Sequence, residues 1–261
     1  MILYPVCSSS KGNCSYISNG EVAILIDVGI SFKSLVKSLN LAGLDEKKIR
    51  AIFITHEHYD HVKGLYAITK NLKVPVYSSK ETLKELILKN AIFYGTKMFE
   101  INKKTANIFG INVSAFNVLH DSVKGVRFKI ICEGKKLAVC TDLGEASLEV
   151  INNLKDSNFV FLEANYDVEM LKNGKYPEML KRRITSKYGH LSNLDAAFLI
   201  NNLINFGVKK FLIGHLSEKN NSPQIALKTI ILELMKNNKK INKDYEIYVA
   251  PVKNNGTKYE I

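Results

Sequence analysis

Short apolar segments recur along the chain. Helical stretches separate them in the first half, and turn residues separate several of them after that. In the first half, the strand-like runs VAILIDVG, AIFIT and VPVYS alternate with helical stretches that begin at Ser31, follow His61 and cover KETLKELILKN. Neighbouring parallel strands need crossover connections of this length, and these are usually helices. The first half therefore predicts an α/β fold.

The second half is richer in strands. KMFEI, ANIFG, INVSAFNV, VRFKIIC and KLAVCTD are short, β-branched or aromatic, and separated by turn residues, which is typical of an antiparallel meander. A further strand, NFVFLEAN, is followed by helical stretches around residues 167–186 and 193–205, the strand KKFLIG and a helix from Ser222 through KNNKK. Two sheets covered by helices accommodate this order.

Composition indicates an ordinary globular chain. Its 261 residues contain no linker, repeat or low-complexity block, so we predict a single domain over residues 1–261. We expect a cytoplasmic protein without a membrane partner, because no apolar stretch approaches the roughly 20 residues that span a bilayer and the N-terminus lacks signal-peptide features. The four cysteines form no CxxC pair, which favours buried thiols over disulfides or a zinc knuckle: Cys7, Cys14, Cys132 and Cys140.

The net charge of +12 suits a polyanionic partner. A lysine-rich surface that simply faces solvent explains the same charge equally well. Charge alone therefore leaves nucleic-acid binding open.

The segment FITHEHYDHVKG, residues 53–64, contains three of the six histidines together with two acids, directly behind an apolar run. In His-x-His-x-Asp-His, imidazoles and a carboxylate share one tight turn, and alternate side chains can face two adjacent cations. The alternative is a polar turn that caps a helix, which a lone histidine would favour. This density of donors instead predicts a metal site.

The remaining acids and imidazoles of interest lie at the ends of predicted elements, which are strands for all of them except His190. Strand ends hold side chains rigidly while leaving them accessible, as a catalytic cluster requires. Taken singly, an acid in a turn or at a helix N-cap is more often structural, so the prediction of one common site depends on the whole set: Asp27, His120, Asp142, His190 and His215.

Together these residues resemble the metallo-β-lactamase fold superfamily. Its successive motif positions are occupied by Asp27, THEHYDH, His120, TD at Asp142, and His215. Three longer stretches are similar to the YycJ/WalJ group of bacterial hydrolases: SSSKGN, LEANYDVEMLKNGKYPEMLKRRITSKYGHLSN and GHLSEKNNSP. The resemblance covers essentially the whole chain. It implies a four-layer αββα sandwich.

The resemblance also implies a pair of divalent metal ions. One ion would be bound by His56, His58 and His120, and the other by Asp60, His61 and His215. Asp142 would bridge the two ions, and Asp27 would orient a ligand imidazole. Imidazole and carboxylate ligands suit zinc or manganese, and iron is possible.

His190 is not needed to complete two metal shells. A phosphodiester needs its leaving oxygen protonated, and His190 is our candidate general acid, with Glu163 keeping it cationic. The pair resembles the proton-donating glutamate and histidine of RNase Z nucleases, and Asp60 is counted as catalytic as well as ligating. The alternative is that Glu163 caps a helix and His190 packs against LSN. Asn165 and Asn193 receive no role.

Four cations lie close to His190 in sequence. Arginine binds phosphate through two parallel hydrogen bonds and lysine as a point charge, so this run predicts a clamp for a nucleic-acid backbone. The alternative is a solvated helix face. The candidate substrate-binding residues are Lys181, Arg182, Arg183 and Lys187.

These features favour a dinuclear-metal phosphodiesterase that acts on nucleic acid, with a metal-bridging hydroxide as nucleophile and His190 as general acid. The resemblance to the YycJ/WalJ group implies a 5′ to 3′ DNA exonuclease. Two alternatives stay open: a thioesterase similar to glyoxalase II, and a metal-stabilised nucleic-acid-binding protein. The sequence does not determine the oligomeric state.

Overall fold

A computed structural model describes every residue of Met1–Ile261 except Lys103. Its strands are β1 (Ile2–Ser9), β2 (Gly12–Ser18), β3 (Ala23–Ile26), β4 (Ile49–Phe53), β5 (Val76–Ser78), β6 (Met98–Glu100), β7 (Thr105–Ile108), β8 (Ile111–Asn117), β9 (Val126–Cys132), β10 (Lys135–Cys140), β11 (Phe159–Glu163), β12 (Lys210–Gly214), β13 (Glu246–Val249) and β14 (Tyr259–Glu260). Its helices are α1 (Phe32–Leu41), α2 (Tyr59–Val62), α3 (Leu65–Leu72), α4 (Lys80–Leu88), α5 (Leu148–Leu154), α6 (Val168–Asn173), α7 (Glu178–Ile184), α8 (Asn193–Asn205) and α9 (Pro223–Lys236).

The chain divides into two compact units. The first unit comprises Met1–Phe116, Ser122–Lys135 and Pro251–Ile261, and the second comprises Asn117–Asp121 and Lys136–Ala250. The expectation of a single domain over residues 1–261 stays a prediction.

The first unit contains a seven-stranded mixed sheet in the order β14-β1-β2-β3-β4-β5-β6. Strands β14, β1, β2 and β3 pair antiparallel, whereas β3, β4, β5 and β6 pair parallel. The parallel strands and their helical crossovers confirm the alternation predicted for the first half. The outer strands β1, β2 and β14 were not predicted.

Strand β6 corrects the predicted meander. It lies within the KMFEI segment, yet it pairs parallel with β5 in the first sheet. The rings of Phe53, Tyr77 and Phe99 stack across β4, β5 and β6, with centroid separations of 4.8 and 5.1 Å. Aromatic stacking between neighbouring strands stabilises this placement. Strands β7 and β8 do pair antiparallel, as predicted.

The second unit contains four strands in the order β13-β12-β11-β10, all parallel. Their apolar side chains are buried, and helices α8 and α9 contribute buried residues such as Leu199, Leu203, Ile230 and Leu234. Continuous burial is typical of parallel strands that are covered by helices. The carboxyl ends of these strands therefore lie at one edge of the sheet, where several candidate residues follow them.

One predicted helix is broken into two. The stretch predicted around residues 167–186 contains α6 and α7, which are separated by Gly174 and Pro177. The glycine ends α6 as its C-cap, and proline provides the N-cap of α7, where the lack of a backbone N–H costs no helical hydrogen bond. The C-terminal helix α9 also ends earlier than predicted, at Lys236.

The sheet that begins with β13-β12-β11-β10 continues through β9 and β8 to β7, which pairs antiparallel with β8, so both sheets are mixed. With their helices they confirm the predicted α/β class. All four cysteines are buried thiols, as the sequence predicted. Burial raises the pKa of Cys7 to about 12. Among the described residues, no helix combines the length and apolar character needed to cross a bilayer.

Candidate metal centre

The histidine-rich turn of the first unit is organised around the buried carboxylate of Asp27. Asp27 directly follows β3, and the turn containing Thr55, His56 and His61 follows the parallel neighbour β4. One Asp27 oxygen accepts from the Thr55 backbone N–H at 2.8 Å, and the other lies 2.8 Å from His61 Nδ1. The Thr55 hydroxyl donates to both oxygens, at 3.0 and 2.8 Å. The carboxylate thereby orients the whole turn.

This network determines which ring nitrogens carry protons. The single hydroxyl proton of Thr55 points to Asp27, so its oxygen accepts from His56 Nδ1 at 2.9 Å. His61 Nδ1 likewise donates to Asp27. Both imidazoles then carry their lone pair on Nε2, the atom that ligates a metal when Nδ1 is held by an oxygen.

The other donors of the turn lie close by. His56 Nε2 is 3.0 Å from His58 Nδ1, and His61 Nε2 is 3.4 Å from an Asp60 oxygen. His56 and His61 are buried, whereas Asp60 and His58 are partly exposed. The structure therefore brings together all four predicted ligands of the first unit.

In the second unit, Asp142 lies among imidazoles. One Asp142 oxygen is 3.3 Å from His215 Nε2, 3.8 Å from His190 Nδ1 and 4.0 Å from His120 Nε2. His120 Nδ1 lies 3.1 Å from the carbonyl oxygen of Gly189, which turns Nε2 toward the carboxylate. The three predicted metal ligands of this unit and the predicted general acid thus share one cluster.

Glu163 ends β11 and is fully buried. One oxygen accepts from the backbone N–H groups of Leu143 and Leu191 at 2.9 and 3.1 Å, and the other lies 3.1 Å from His190 Nδ1 and 3.2 Å from His215 Nδ1. Burial acts to raise the pKa of this carboxyl, but the charge of His190 and hydrogen bonds from His190 and His215 outweigh it and lower the pKa to about 2. Glu163 is therefore ionised, and it orients two imidazoles rather than one.

Three of these residues have left-handed backbone conformations. Asp27, Asp142 and His215 have φ values of 57°, 57° and 53°, each immediately after a strand or one residue beyond it. This region is uncommon for side chains other than glycine and costs of order 1–2 kcal/mol. Such conformations cluster at functional sites, where the surrounding structure maintains them.

The donor sets fit divalent metal ions. One ligand atom from each of Asp142, Glu163, His190 and His215 lies within 4.8 Å of the others. Neutral imidazoles oriented through Nδ1, together with buried carboxylates, are the ligands that zinc, manganese and iron accept in proteins. These His/Asp clusters are able to hold metal ions.

The predicted basic residues differ in their surroundings. Lys181 Nζ donates to the Lys172 carbonyl at 2.7 Å and pairs with Glu178 at 3.0 Å, and only 15% of its side chain is exposed. Arg183 pairs with Asp121, whose other oxygen is 3.3 Å from His120 Nε2. Arg182 is exposed. Lys181 is therefore largely covered by its protein partners, whereas Arg183 keeps 61% of its side chain exposed although it pairs with Asp121.

Lys187 lies over the ring of Tyr188, 5.2 Å from its centroid. Both side chains lie beyond the C-terminus of α7, on the segment that leads to His190. The negative face of an aromatic ring attracts an ammonium group, so the ring favours this position of the lysine.

Sequence reasoning missed several residues that orient the candidate ligands. Thr55 links Asp27 to His56, and only its position just before the histidine motif could have indicated this. Asn165 was assigned no role, yet its amide donates to the His215 carbonyl at 2.8 Å and lies 3.3 Å from His215 Nδ1. Asn193 instead exchanges hydrogen bonds with the Asn221 side chain.

Comparison with known proteins gives concordant matches. The Metallo-beta-lactamase superfamily matches residues 10–154. The exodeoxyribonuclease YycJ of Bacillus anthracis is 32% identical over 244 residues, which are 93% of this chain and 92% of that protein. The exodeoxyribonuclease WalJ of Streptococcus pneumoniae is 30% identical over 249 residues, 93% of this chain and 91% of the relative.

Among solved structures, the metallo-beta-lactamase fold protein YhfI from Bacillus subtilis covers 99% of both chains with a TM-score of 0.74 at 12% identity. At that identity the likeness concerns the fold alone, and it confirms the fold class predicted from the sequence. Because the superfamily match covers more than half of the chain and both exodeoxyribonucleases align over nearly all of it, this chain belongs to the metallo-beta-lactamase superfamily, together with the YycJ and WalJ proteins.

Proposed function

We propose that this protein is a metal-dependent phosphodiesterase that degrades nucleic acid, acting as a 5′ to 3′ exonuclease on DNA. The observation that carries the proposal is the Glu163–His190 pair, with its 3.1 Å contact, in the same cluster as Asp142 and His215. A proton donor beside candidate metal ligands suits a reaction whose leaving group is an alkoxide. The names of YycJ and WalJ support the choice of DNA as substrate.

We propose two divalent ions, zinc or manganese with iron as a further option, as the resident cofactor. The proposed ligands are His56, His58 and His120 for one ion and Asp60, His61 and His215 for the other, with Asp142 shared. Bound divalent ions supply Lewis-acid activation of water and neutralise charge on the phosphate. The tautomers imposed on His56 and His61 by Thr55 and Asp27 support this assignment.

In this mechanism, the residues of the chain orient the donors and move one proton. As hydroxide attacks the phosphorus and the bond to the 3′ oxygen breaks, His190 gives its proton to that departing oxygen, which leaves one product with a 5′ phosphate and the other with a 3′ hydroxyl. Glu163 holds the imidazole through Nδ1 and, with its pKa lowered to about 2, keeps a negative charge beside it. Asp60 is proposed to act in catalysis as well as in ligation.

For substrate binding, we propose that the cations of α7 and its C-terminal extension contact the nucleic-acid backbone. The exposed Arg182 and the Arg183–Asp121 pair beside His120 support this role more strongly than Lys181, whose ammonium group already has two partners. A cytoplasmic location is also proposed.

The test uses the purified protein, stripped of metal and reloaded with Mn²⁺ or Zn²⁺. It is incubated with DNA and RNA that carry a label at the 5′ or the 3′ end, and with a thioester as control. We expect metal-dependent release of mononucleotides with 5′ phosphates from the 5′ end of DNA and no thioester hydrolysis. Thioester cleavage without DNA cleavage would refute the proposal, and so would salt-sensitive DNA binding without cleavage in any divalent ion.

A further inference from the structure

Asn13, which lies in the SSSKGN segment, contacts two of the candidate ligands in the first unit. Its amide Nδ2 lies 3.2 Å from an Asp60 oxygen and 3.1 Å from His61 Nε2. The same amide donates to the Ser9 carbonyl at 3.0 Å. Asn13 is only 6% exposed, so its amide contacts protein groups and not solvent.

Four close backbone approaches hold Asn13 and its neighbours in this position. The Gly29 N–H donates to the Asn13 carbonyl at 2.7 Å, and the Val28 N–H donates to the His61 carbonyl at 2.8 Å. A Cβ atom on Gly29 would lie 1.7 Å from the Asp60 carbonyl oxygen, and one on Gly12 would lie 2.5 Å from the Gly29 carbonyl oxygen. Only glycine permits this contact between the β1–β2 turn, the segment after β3 and helix α2.

The direction of the hydrogen bonds follows from the partners of His61. Its Nδ1 donates to Asp27, so Nε2 carries the lone pair and accepts from the Asn13 amide. The amide has two hydrogens, so one donates to the Ser9 carbonyl and the other is shared between His61 Nε2 and an Asp60 oxygen. When the lone pair of His61 Nε2 binds a cation, the Asn13 amide retains Asp60 and Ser9 as acceptors. The hydrogen bond from the Asn13 amide to one Asp60 oxygen then directs the other Asp60 oxygen away from the amide.

We propose that Asn13 is a positioning residue, whose side-chain amide donates to Asp60 and so orients that carboxylate for a divalent cation that Asp60 and His61 bind. The inference rests on the proposed metal centre and adds a residue to it that the sequence did not indicate. It also explains the paired glycine and asparagine of the KGN sequence, because Gly12 allows the approach and Asn13 supplies the donor. Outer residues that orient ligands typically change metal affinity by about 10–100-fold when they are replaced.

The experiment measures Zn²⁺ affinity and stoichiometry of the full chain by competition with a chromogenic chelator, and the visible absorption spectrum of the Co²⁺-loaded protein. In Asn13→Ala we expect one equivalent of Zn²⁺ to bind about 10–100-fold more weakly, with an altered Co²⁺ spectrum, while the other equivalent is unchanged. Asn13→Ser provides a second variant if the alanine variant does not fold, since its shorter hydroxyl does not reach Asp60.

Asn254→Ala is the matched control. Asn254 is also a buried asparagine of the first unit, 3% exposed, but the described partners of its side chain are backbone groups of Pro5, Gly256 and Thr257. We expect it to lower thermal stability without changing metal affinity. Wild-type affinity for both equivalents in the Asn13 variants, or an equal loss in Asn254→Ala, would overturn the inference. A wild-type protein that takes up fewer than two equivalents would instead contradict the proposed dinuclear centre.

Discussion

At the scale of single residues, the chemistry of each imidazole is determined by the partner of its Nδ1 atom. That partner is the Thr55 hydroxyl for His56, the Asp27 carboxylate for His61 and the Gly189 carbonyl for His120. A hydrogen bond at Nδ1 fixes the tautomer and the ring orientation, and presents Nε2 to a ligand. His190 differs in its exposure, because its Nδ1 also faces a buried carboxylate, that of Glu163, but 22% of its side chain is exposed.

Replacing His190 separates the proton-donor role from metal ligation. We expect His190→Ala to retain the metal content of the wild type and to lose about 10²–10⁴-fold in turnover, the usual contribution of a general acid. Asp142→Ala should lose both metal and activity, because this carboxylate lies against three imidazoles. Elemental analysis and DNA cleavage assays measure the two properties. Normal turnover in His190→Ala, or loss of its metal, would contradict the assignment.

At the scale of elements, helix α7 collects its cations in its last turn. Basic side chains there interact favourably with the helix dipole, so part of the pattern has a structural explanation. The partners of Lys181 support this explanation for that residue. Arg182 instead is exposed, and a guanidinium group can bind phosphate through two parallel hydrogen bonds.

Lys181 and Arg182 should therefore differ in their effect on DNA binding. In a His190→Ala background, we expect Arg182→Ala to reduce the slope of log affinity against log salt by about 0.9 for each phosphate that the arginine neutralises. Lys181→Ala should leave that slope unchanged and lower thermal stability. Binding titrations over a series of salt concentrations provide the measurement, and identical slopes for all three proteins would exclude Arg182 as a phosphate ligand.

A buried thiol in the strand pair β1–β2 predicts how the stability of the fold depends on pH. Cys7 and Cys14 are register partners there, and burial raises the pKa of the Cys7 thiol from 9.0 to about 12, although Lys63 and Lys253 lower it. The folded protein holds this proton more tightly than the unfolded chain. The resulting stability is complete below pH 9 and is lost as the pH rises from 9 toward about 12.

Alkylation tests the same burial. Because the thiolate is the reactive form, native Cys7 should resist iodoacetamide at about pH 8.5 and react readily in denaturant. Mass spectrometry of digested protein identifies the modified thiols. Rapid modification of Cys7 in the folded protein would show that the β1–β2 pair opens or that the thiol is accessible.

At the scale of the whole molecule, both units place candidate ligands at the carboxyl ends of parallel strands. In the first unit these strands are β3 and β4, and in the second they are β10, β11 and β12. Ligands of α/β proteins bind at such edges because the strand ends and their loops present side chains to a common space. Metal binding to either cluster should then stabilise the fold around it.

Metal addition should therefore raise the melting temperature. A site filled at 100 times its dissociation constant contributes about 2.7 kcal/mol, and a domain of this size melts roughly 2–4 °C higher for each kcal/mol. We expect a rise of several degrees when Mn²⁺ or Zn²⁺ is added to chelator-treated protein, and a smaller rise in Asp142→Ala. Differential scanning fluorimetry measures the shift. Equal melting temperatures with and without metal would show that neither cluster binds it in the folded state.

Several tertiary features lay beyond sequence reasoning. The KMFEI strand has the same local pattern as its neighbours in sequence, but its parallel pairing with β5 depends on contacts between distant residues. The same holds for β1, β2 and β14, whose pairing joins the two ends of the chain. Periodicity reports which face of a segment is buried and does not report its partner.

By itself, the sequence determined the order of most strands and helices, because this order depends on local periodicity, and its motifs carried the resemblance to the fold family and indicated the histidines and acids near the ends of elements. Only the tertiary structure decided that Glu163 serves two imidazoles, that Thr55 and Asp27 select the tautomers of His56 and His61, and that Asn13 reaches Asp60. Hydrogen-bond partners are set by approaches of a few ångströms between segments that lie far apart in the chain. Such approaches leave no periodic trace in the order of the amino acids.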